Sequence, residues 1–237
     1  MKMKIYVIIP ILKNKHFEEI TKREFKAAAR PGTEVTIVSL EKGPASIESM
    51  YDEYQAAPWI LEKIKEGEAD GYDAVIIDCM GDPALHGARE LVKIPVIGPC
   101  EASMALAHVI SHRFSVVTVL KAVLPMFERL VKVYGFGDRF ASVRSIEVPV
   151  LDLENEEKTK AALLVESSRA IEEDGADAII LGCTGMIGMA KWLQEQLDVP
   201  VIDPAVASLK VAESLVDMGV SHSKHIYPMP PEKLRVA

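Results

Sequence analysis

The chain has 237 residues, of which 49% are hydrophobic and 26% charged, as in an ordinary soluble globular protein. Its 35 acidic residues outnumber 27 basic ones, and the net charge of -8 disfavours nucleic acid or an anionic membrane as a partner. No apolar stretch is long enough to span a bilayer. Three cysteines without an export signal predict a cytoplasmic protein whose thiols stay reduced and available for chemistry.

Apolar runs alternate with segments of helical spacing along the whole chain. The predicted strands are 4–12, 34–40, 74–79, 95–97, 114–120, 143–149, 178–183 and 199–202. The predicted helices are 16–29, 52–66, 83–92, 102–111, 125–134, 156–173, 187–197 and 205–218. The tail, which carries three prolines from Pro228 onward, is expected to be extended. This alternation predicts the open α/β class, with parallel strands covered by helices and right-handed connections.

One segment of the sequence occurs twice. Residues 71–81 reappear as 175–185, and residues 94–99 reappear as 199–204 with only one inserted residue between the two registers. The repeat predicts two similar lobes related by a pseudo-twofold axis, each with a four-stranded parallel sheet flanked by helices.

The repeat also suggests where the lobes divide. We expect residues 1–100 plus about 205–237 to form the first lobe and residues 101–204 the second. The repeat alone does not assign the helices at 102–111 and 205–218 to a lobe. Their exchange between lobes would make the first lobe discontinuous in sequence.

Each repeat delivers one cysteine, Cys79 or Cys183, to the end of an apolar strand, followed by Xaa-Gly. Ligands of open α/β sheets bind beyond these strand ends, so two equivalent lobes predict a shared cleft with one thiol on each wall. A strand-to-helix turn presents backbone N–H groups and a helix dipole, which are expected to lower the thiol pKa from about 8.5 toward neutrality. Two opposed thiols suit two-base racemisation without a cofactor, in which the N–H groups hold the enolate.

Other interpretations of the cysteines remain open. A free cysteine is often a buried packing residue, and we interpret Cys100 in this way because Ala205 takes its place in the repeat. Cys79, Cys100, Cys183 and a histidine would supply four zinc ligands, but no pair has close metal-ligand spacing, so no metal site is predicted. A two-lobed protein that binds a small anion without chemistry is the alternative from another functional class.

The residues around the cysteines resemble the aspartate/glutamate/hydantoin racemase superfamily, and most closely its hydantoin/allantoin racemase branch. The stretches that carry this resemblance are 43–53 (GPASIESMYDE), 78–83 (DCMGDP), 114–118 (FSVVT), 181–186 (LGCTGM) and 199–204 (VPVIDP). They span most of the chain between about residue 35 and residue 215.

The resemblance implies two flavodoxin-like lobes, a cofactor-free site between them, and Cys79 and Cys183 as the acid/base pair. It implies racemisation of a 5-substituted hydantoin, allantoin or a related amino-acid derivative, with aspartate or glutamate racemisation as the alternative. It also suggests a homo-oligomer acting on a small molecule. The residues expected to contact substrate are Met80, Gly81, Asp82, Thr118, Thr184, Gly185 and Pro10.

Two features qualify this set. Asp82 precedes Pro83 at a predicted helix start, a common capping arrangement, so we favour a helix cap as the interpretation of its carboxylate. The loop after the first strand lacks the Asn-Pro-Asn-Thr-like sequence of hydantoin racemases, and Lys13 or Lys15 there is a candidate contact for a substrate carboxylate.

Overall fold

The computed structural model describes residues 2–234, in which eight strands alternate with eight α-helices. The strands are β1 Met3–Leu12, β2 Thr33–Leu40, β3 Ala74–Ile77, β4 Val96–Ile97, β5 Phe114–Thr118, β6 Phe140–Ser145, β7 Ala178–Leu181 and β8 Val201–Ile202. The helices are α1 Lys15–Ala28, α2 Met50–Ala69, α3 Leu85–Leu91, α4 Pro99–Ile110, α5 Leu124–Val133, α6 Glu156–Glu172, α7 Ala190–Leu197 and α8 Pro204–Met218.

The strands form two four-stranded sheets with equivalent topology. Their orders are β2-β1-β3-β4 and β6-β5-β7-β8, and every pairing is parallel. The prediction of an α/β protein with two four-stranded parallel sheets is therefore confirmed. After β3, Asp78 donates its N–H to the carbonyl of Ile8 in β1, and after β7, Gly182 donates to Val117 in β5. The two turns that carry the cysteines thus leave their sheets at equivalent points.

The last helix of the chain covers the first sheet. Helix α8 packs against β1, β3, β4 and α4, whereas α4 also contacts β7 and α5 of the second half. On α8, Ala205, Leu209 and Ala212 share a buried cluster with Ile5 and Ile76. Apolar burial of this kind is the main stabilising term for such a helix. The division into lobes at about residues 100 and 205 stays a prediction.

Several predicted strand ends were wrong. Strands β3 and β7 stop two residues before Cys79 and Cys183, although they were predicted to include them. Strand β6 begins three residues earlier than predicted and ends at Ser145, since Glu147 adopts a left-handed backbone with φ of 52°. The described part of the tail, from residue 228 to residue 234, has no helix or strand. The rest of the tail prediction, at residues 235–237, lies outside the described residues.

The helices that follow the cysteines also begin later than predicted. Helix α3 starts at Leu85 because Ala84 adopts a left-handed conformation with φ of 61°. Helix α7 starts only at Ala190, after a 3-10 turn at Thr184–Met186 and after Gly188, whose φ is 84°. Neither helix N-terminus therefore lies directly behind a thiol.

The N-termini of α4 and α8 are capped in two different ways. Asp203 precedes α8 and accepts hydrogen bonds from the backbone N–H groups two and three residues further on. Gly98 occupies the equivalent position before α4 and has no side chain to cap the helix. The carboxylate of Asp82 caps α4 instead, because it accepts hydrogen bonds from the N–H groups of Cys100 and Glu101, both at 3.0 Å. Asp82 is thus a helix cap, but of α4 rather than of the helix that follows it.

We expect Gly98→Ala to destabilise the protein. The backbone at Gly98 suits any residue, with φ of -98°, but an added Cβ would overlap the carboxyl group of Asp82. The carboxylate must then leave the N–H groups of α4, at a cost of about 2 kcal/mol in the free energy of unfolding, measured by urea denaturation. The variant Asp82→Ala, Gly98→Asp gives α4 the kind of cap that Asp203 provides for α8, and it should be more stable than Asp82→Ala alone. Wild-type stability of Gly98→Ala would contradict this account of the cap.

Candidate active site

Two adjoining chambers lie beyond the carboxyl ends of the two sheets. The first is lined by Ile9, Pro10, Ile11, Phe17, Thr21, Ile47, Asp78, Cys79, Val150, Cys183, Thr184 and Gly185. The second is lined by Ile47, Cys79, Met80, Gly81, Thr118, Val119, Val123, Met126, Phe127, Gly182, Cys183 and Thr184. Cys79 and Cys183 line both, so the two thiols from equivalent repeat positions lie where the chambers meet.

Six of the seven predicted substrate contacts line these chambers: Pro10, Met80, Gly81, Thr118, Thr184 and Gly185. The seventh, Asp82, lines neither chamber. Besides capping α4, its carboxylate accepts a hydrogen bond of 2.7 Å from the hydroxyl of Tyr134, at the end of α5 in the second half. Asp82 therefore fixes the turn that carries Cys79, and the expectation that it touches substrate stays a prediction.

Two threonine hydroxyls bind the turns to their surroundings. Thr184 donates through Oγ1 to the backbone carbonyl of Asp78 at 2.9 Å, and Thr118 donates to that of Gly182, also at 2.9 Å. The first of these bonds joins the cysteine turn of one half to that of the other. A hydroxyl group that donates its single hydrogen still has lone pairs, so the hydroxyl oxygens of Thr118 and Thr184 can each accept a hydrogen bond from a ligand. Both chambers are thus supplied with hydrogen-bond acceptors.

The thiol pKa values differ from the expectation. Burial raises the pKa of Cys79 well above its ordinary value and that of Cys183 to about 12, although backbone hydrogen bonds from Gly81 and Gly185 act in the opposite direction. The expectation of lowered pKa values was wrong because it relied on helix N-termini directly behind the thiols. The backbone N–H groups are present, but desolvation outweighs them.

Sequence reasoning missed two buried carboxyl groups, Asp78 and Glu53. Burial raises the pKa of each to about 7, and the atoms Oδ1 of Asp78 and Oε1 of Glu53 are buried without a hydrogen-bond partner among the described residues. Glu53 lies behind Gly81, where an added Cβ would overlap its carboxyl oxygen. Asp78 lines the first chamber itself. The repeat held a signal for it, since an aspartate precedes Cys79 where Gly182 precedes Cys183.

Among the described residues, no lysine, arginine or histidine lines either chamber. Lys13 and Lys15, the candidate contacts for a substrate carboxylate, have side chains 79% and 87% exposed that pair with Glu18 and Glu19. The geometry therefore does not support that contact.

Residues 2–234 contain no group of three or more histidine, cysteine, aspartate or glutamate side chains able to hold a metal ion. The zinc arrangement considered for the three cysteines is therefore not formed there, and Cys100 is fully buried. No helix in this range is long and apolar enough to cross a membrane.

Comparisons with known proteins place these features in context. Residues 6–212 match the family model described as Asp/Glu/Hydantoin racemase. A hydantoin racemase of Pseudomonas sp. (strain NS671) is 48% identical over 210 residues, which cover 88% of this chain and 84% of the relative. The solved structure of an allantoin racemase from Klebsiella pneumoniae superposes with a TM-score of 0.94 at 40% identity, covering 99% of this chain and 96% of the other. An allantoin racemase from Pseudomonas fluorescens gives a TM-score of 0.94 at 33% identity, covering 99% and 100%.

The raised pKa values of Cys79 and Cys183 predict slow alkylation of both thiols in the protein without added ligand. At pH 8 we expect iodoacetamide to alkylate Cys79 and Cys183 about 100-fold more slowly than a free cysteine derivative, because little thiolate forms. The rate should still be rising about tenfold per pH unit between pH 8 and 9. Peptide mapping by mass spectrometry gives both rates, with the fully buried Cys100 as an internal control that reacts only after unfolding. Fast alkylation of either partly exposed thiol at pH 7 would show that the N–H groups outweigh burial.

Proposed function

The chain belongs to the Asp/Glu/hydantoin racemase family, and we propose that it racemises 5-substituted hydantoins, allantoin included, by proton transfer between Cys79 and Cys183. The observation that carries this proposal is the meeting of the two thiols, one from each repeat, between two chambers. The similarity to hydantoin and allantoin racemases supports the substrate class.

The composition of the chamber walls favours a cyclic ureide over a free acidic amino acid. Aspartate or glutamate would bring carboxylates into chambers whose walls hold no cation among the described residues. A hydantoin ring is uncharged and offers N–H groups to the acceptor oxygens of Thr118 and Thr184. The apolar side chains of Ile9, Ile11 and Phe17 in the first chamber suit an apolar substituent at ring carbon 5.

In the proposed reaction, one thiolate removes the proton from ring carbon 5 and becomes a thiol. The electron pair passes to the adjacent carbonyl, and backbone N–H groups of the turns at Gly81 and Gly185 stabilise the resulting enolate. The opposite thiol then gives its proton to the other face of the carbon and becomes the thiolate. Each turnover inverts the stereocentre and exchanges the roles of Cys79 and Cys183, so the hand of the substrate decides which one starts as base.

The raised thiol pKa values have two opposing consequences for this reaction. They make the active thiolate scarce at neutral pH, yet they also make it a stronger base toward a weakly acidic carbon. Slow alkylation of the ligand-free protein therefore does not distinguish a racemase from a non-catalytic binding protein. Proton exchange at the stereocentre does.

We expect the wild type to catalyse exchange of the hydrogen at carbon 5 of enantiopure 5-benzylhydantoin or allantoin in deuterated water. Proton NMR follows the exchange and polarimetry follows the loss of optical rotation, and an enzyme-free sample serves as the control for both. Cys79→Ala and Cys183→Ala should each reduce racemisation at least 1,000-fold, because one of the two faces loses its acid/base group. Residual exchange in each variant should be confined to the enantiomer whose hydrogen faces the remaining thiol.

The matched control is Cys100→Ala, which introduces the residue found at the equivalent position of the second repeat and should keep wild-type activity. Undiminished racemisation by the Cys79→Ala, Cys183→Ala variant would overturn the mechanism. Cysteine-dependent exchange with aspartate or glutamate, and none with the hydantoins, would favour the alternative racemase activity. Binding of hydantoins without exchange would favour a non-catalytic binding protein.

We also propose that the protein acts in the cytoplasm as a homo-oligomer. Large apolar side chains that are exposed on the single chain, among them Tyr51, Tyr54 and Val109, support association between copies. We expect light scattering after size exclusion to give at least twice the chain mass of 26.0 kDa. A mass of one chain at micromolar concentration would contradict this proposal.

A further inference from the structure

Asp78 lines the first chamber, and one of its carboxyl oxygens has no hydrogen-bond partner among the described residues. Its backbone is held on both sides, since its N–H donates to Ile8 and its carbonyl accepts from Thr184. The residue is only 4% exposed, and Oδ1 has no hydrogen-bond partner among the described residues. A buried carboxyl oxygen without a partner is costly, and a donor on a bound ligand would remove that cost.

The groups that interact with the Asp78 carboxyl add no positive charge. They are the carboxyl of Asp203 at the start of α8, the hydroxyl of Thr184 and the thiol of Cys183. Asp203 is itself occupied, because it accepts from the backbone N–H of Gly188 as well as from the first turn of α8. The wall of the first chamber therefore contains a carboxyl oxygen without a hydrogen-bond partner among the described residues, in surroundings that repel negative charge.

The second repeat has no counterpart to this carboxyl. Gly182 occupies the equivalent position, and a Cβ added there would lie 2.5 Å from the Cβ of Thr118. A side chain is thus excluded on that side and present on the other. The asymmetry is local to the two residues that precede the cysteines.

We propose that Asp78 determines the substrate class, because its Oδ1 accepts a ring N–H of a neutral cyclic ureide and its charge repels ligands that carry a carboxylate. This inference rests on the proposed function and adds a specificity residue to it. A ureide ring presents N–H donors beside its carbonyl groups, which matches a chamber wall of acceptors. An acidic amino acid, or a hydantoin with an acidic substituent, presents a like charge to the buried carboxyl of Asp78, where screening is weaker than in bulk water.

The test uses two ligands of nearly equal shape and different charge, hydantoin-5-acetamide and hydantoin-5-acetate. Isothermal calorimetry gives both dissociation constants without depending on turnover. At pH 8 we expect the wild type to bind the acetamide at least tenfold more tightly than the acetate. Asp78→Asn should reduce this preference at least fivefold, since it removes the charge. Asp78→Ala should also weaken binding of the acetamide more than Asp78→Asn does, because only asparagine keeps an acceptor at Oδ1.

Two controls separate this role from a structural one. Glu53→Gln neutralises another buried carboxyl that lines neither chamber, and it should leave the preference within twofold of wild type. Burial raises the pKa of Asp78 to about 7, so lowering the pH to 5.5 should protonate it and shrink the wild-type preference. The acetate ligand stays ionised at that pH, since an ordinary carboxyl has a pKa near 4. Asp78→Asn should show a much smaller pH dependence, which leaves only the contribution of other buried carboxyl groups such as Glu53.

Wild-type racemisation of the acetamide, together with a preference that Asp78→Asn leaves unchanged, overturns the Asp78 assignment and leaves the proposed function intact. Equal affinity of the wild type for the two ligands overturns the assignment as well. If the wild type neither binds nor racemises the acetamide, the Asp78 assignment and the proposed function are both overturned.

Discussion

The hydrogen bond from the Thr184 hydroxyl to the backbone carbonyl of Asp78 connects the two halves at the point where the chemistry is proposed. Thr184 follows one cysteine directly and Asp78 precedes the other, so this single 2.9 Å contact sets the spacing of the two turns. The bond is buried, where a lost partner is costly and a satisfied one is strong. Tyr134 and Asp82 add a second link between the halves on the far side of the same turn. Both chambers depend on these links for their shape.

The site that results is weakly polar and lacks counter-ions for an anion. Burial keeps the thiols of Cys79 and Cys183 protonated and holds the carboxyl pKa values of Asp78 and Glu53 near 7. The groups that interact electrostatically with Asp78, Cys79 and Cys183 are neutral or acidic, and only Glu53, which lines neither chamber, has a cationic neighbour in Arg129. A reaction that only moves one proton from one wall to the other creates no more than one negative charge at a time. A neutral substrate is consistent with that restriction, whereas a dianionic one is not.

Much of this could be predicted from the sequence because the repeat and the apolar periodicity are local signals. Strand–helix alternation gave both sheets, and the duplication located Cys79 and Cys183 at equivalent strand ends. The starts of α3 and α7 could not be predicted, because they depend on left-handed residues such as Ala84. Contacts between distant residues also left no sequence signal: Asp82 meets Tyr134 only in the folded chain. For the same reason Phe17, from the first helix, was not recognised as a chamber residue.

The two repeats differ at single positions beside the reacting pair, such as Asp78 and Gly182, and the equilibrium of a racemase limits what such a difference can achieve. Enantiomers have equal free energies in solution, so kcat/KM must be the same in both directions whatever the protein does. An asymmetric group such as Asp78, with Gly182 opposite, therefore cannot favour one product at equilibrium. It can only make one enantiomer bind more tightly, which lowers KM and kcat together for that enantiomer. The symmetry of the overall reaction therefore does not require a symmetric site. A carboxyl that determines the substrate class can lie on one wall only.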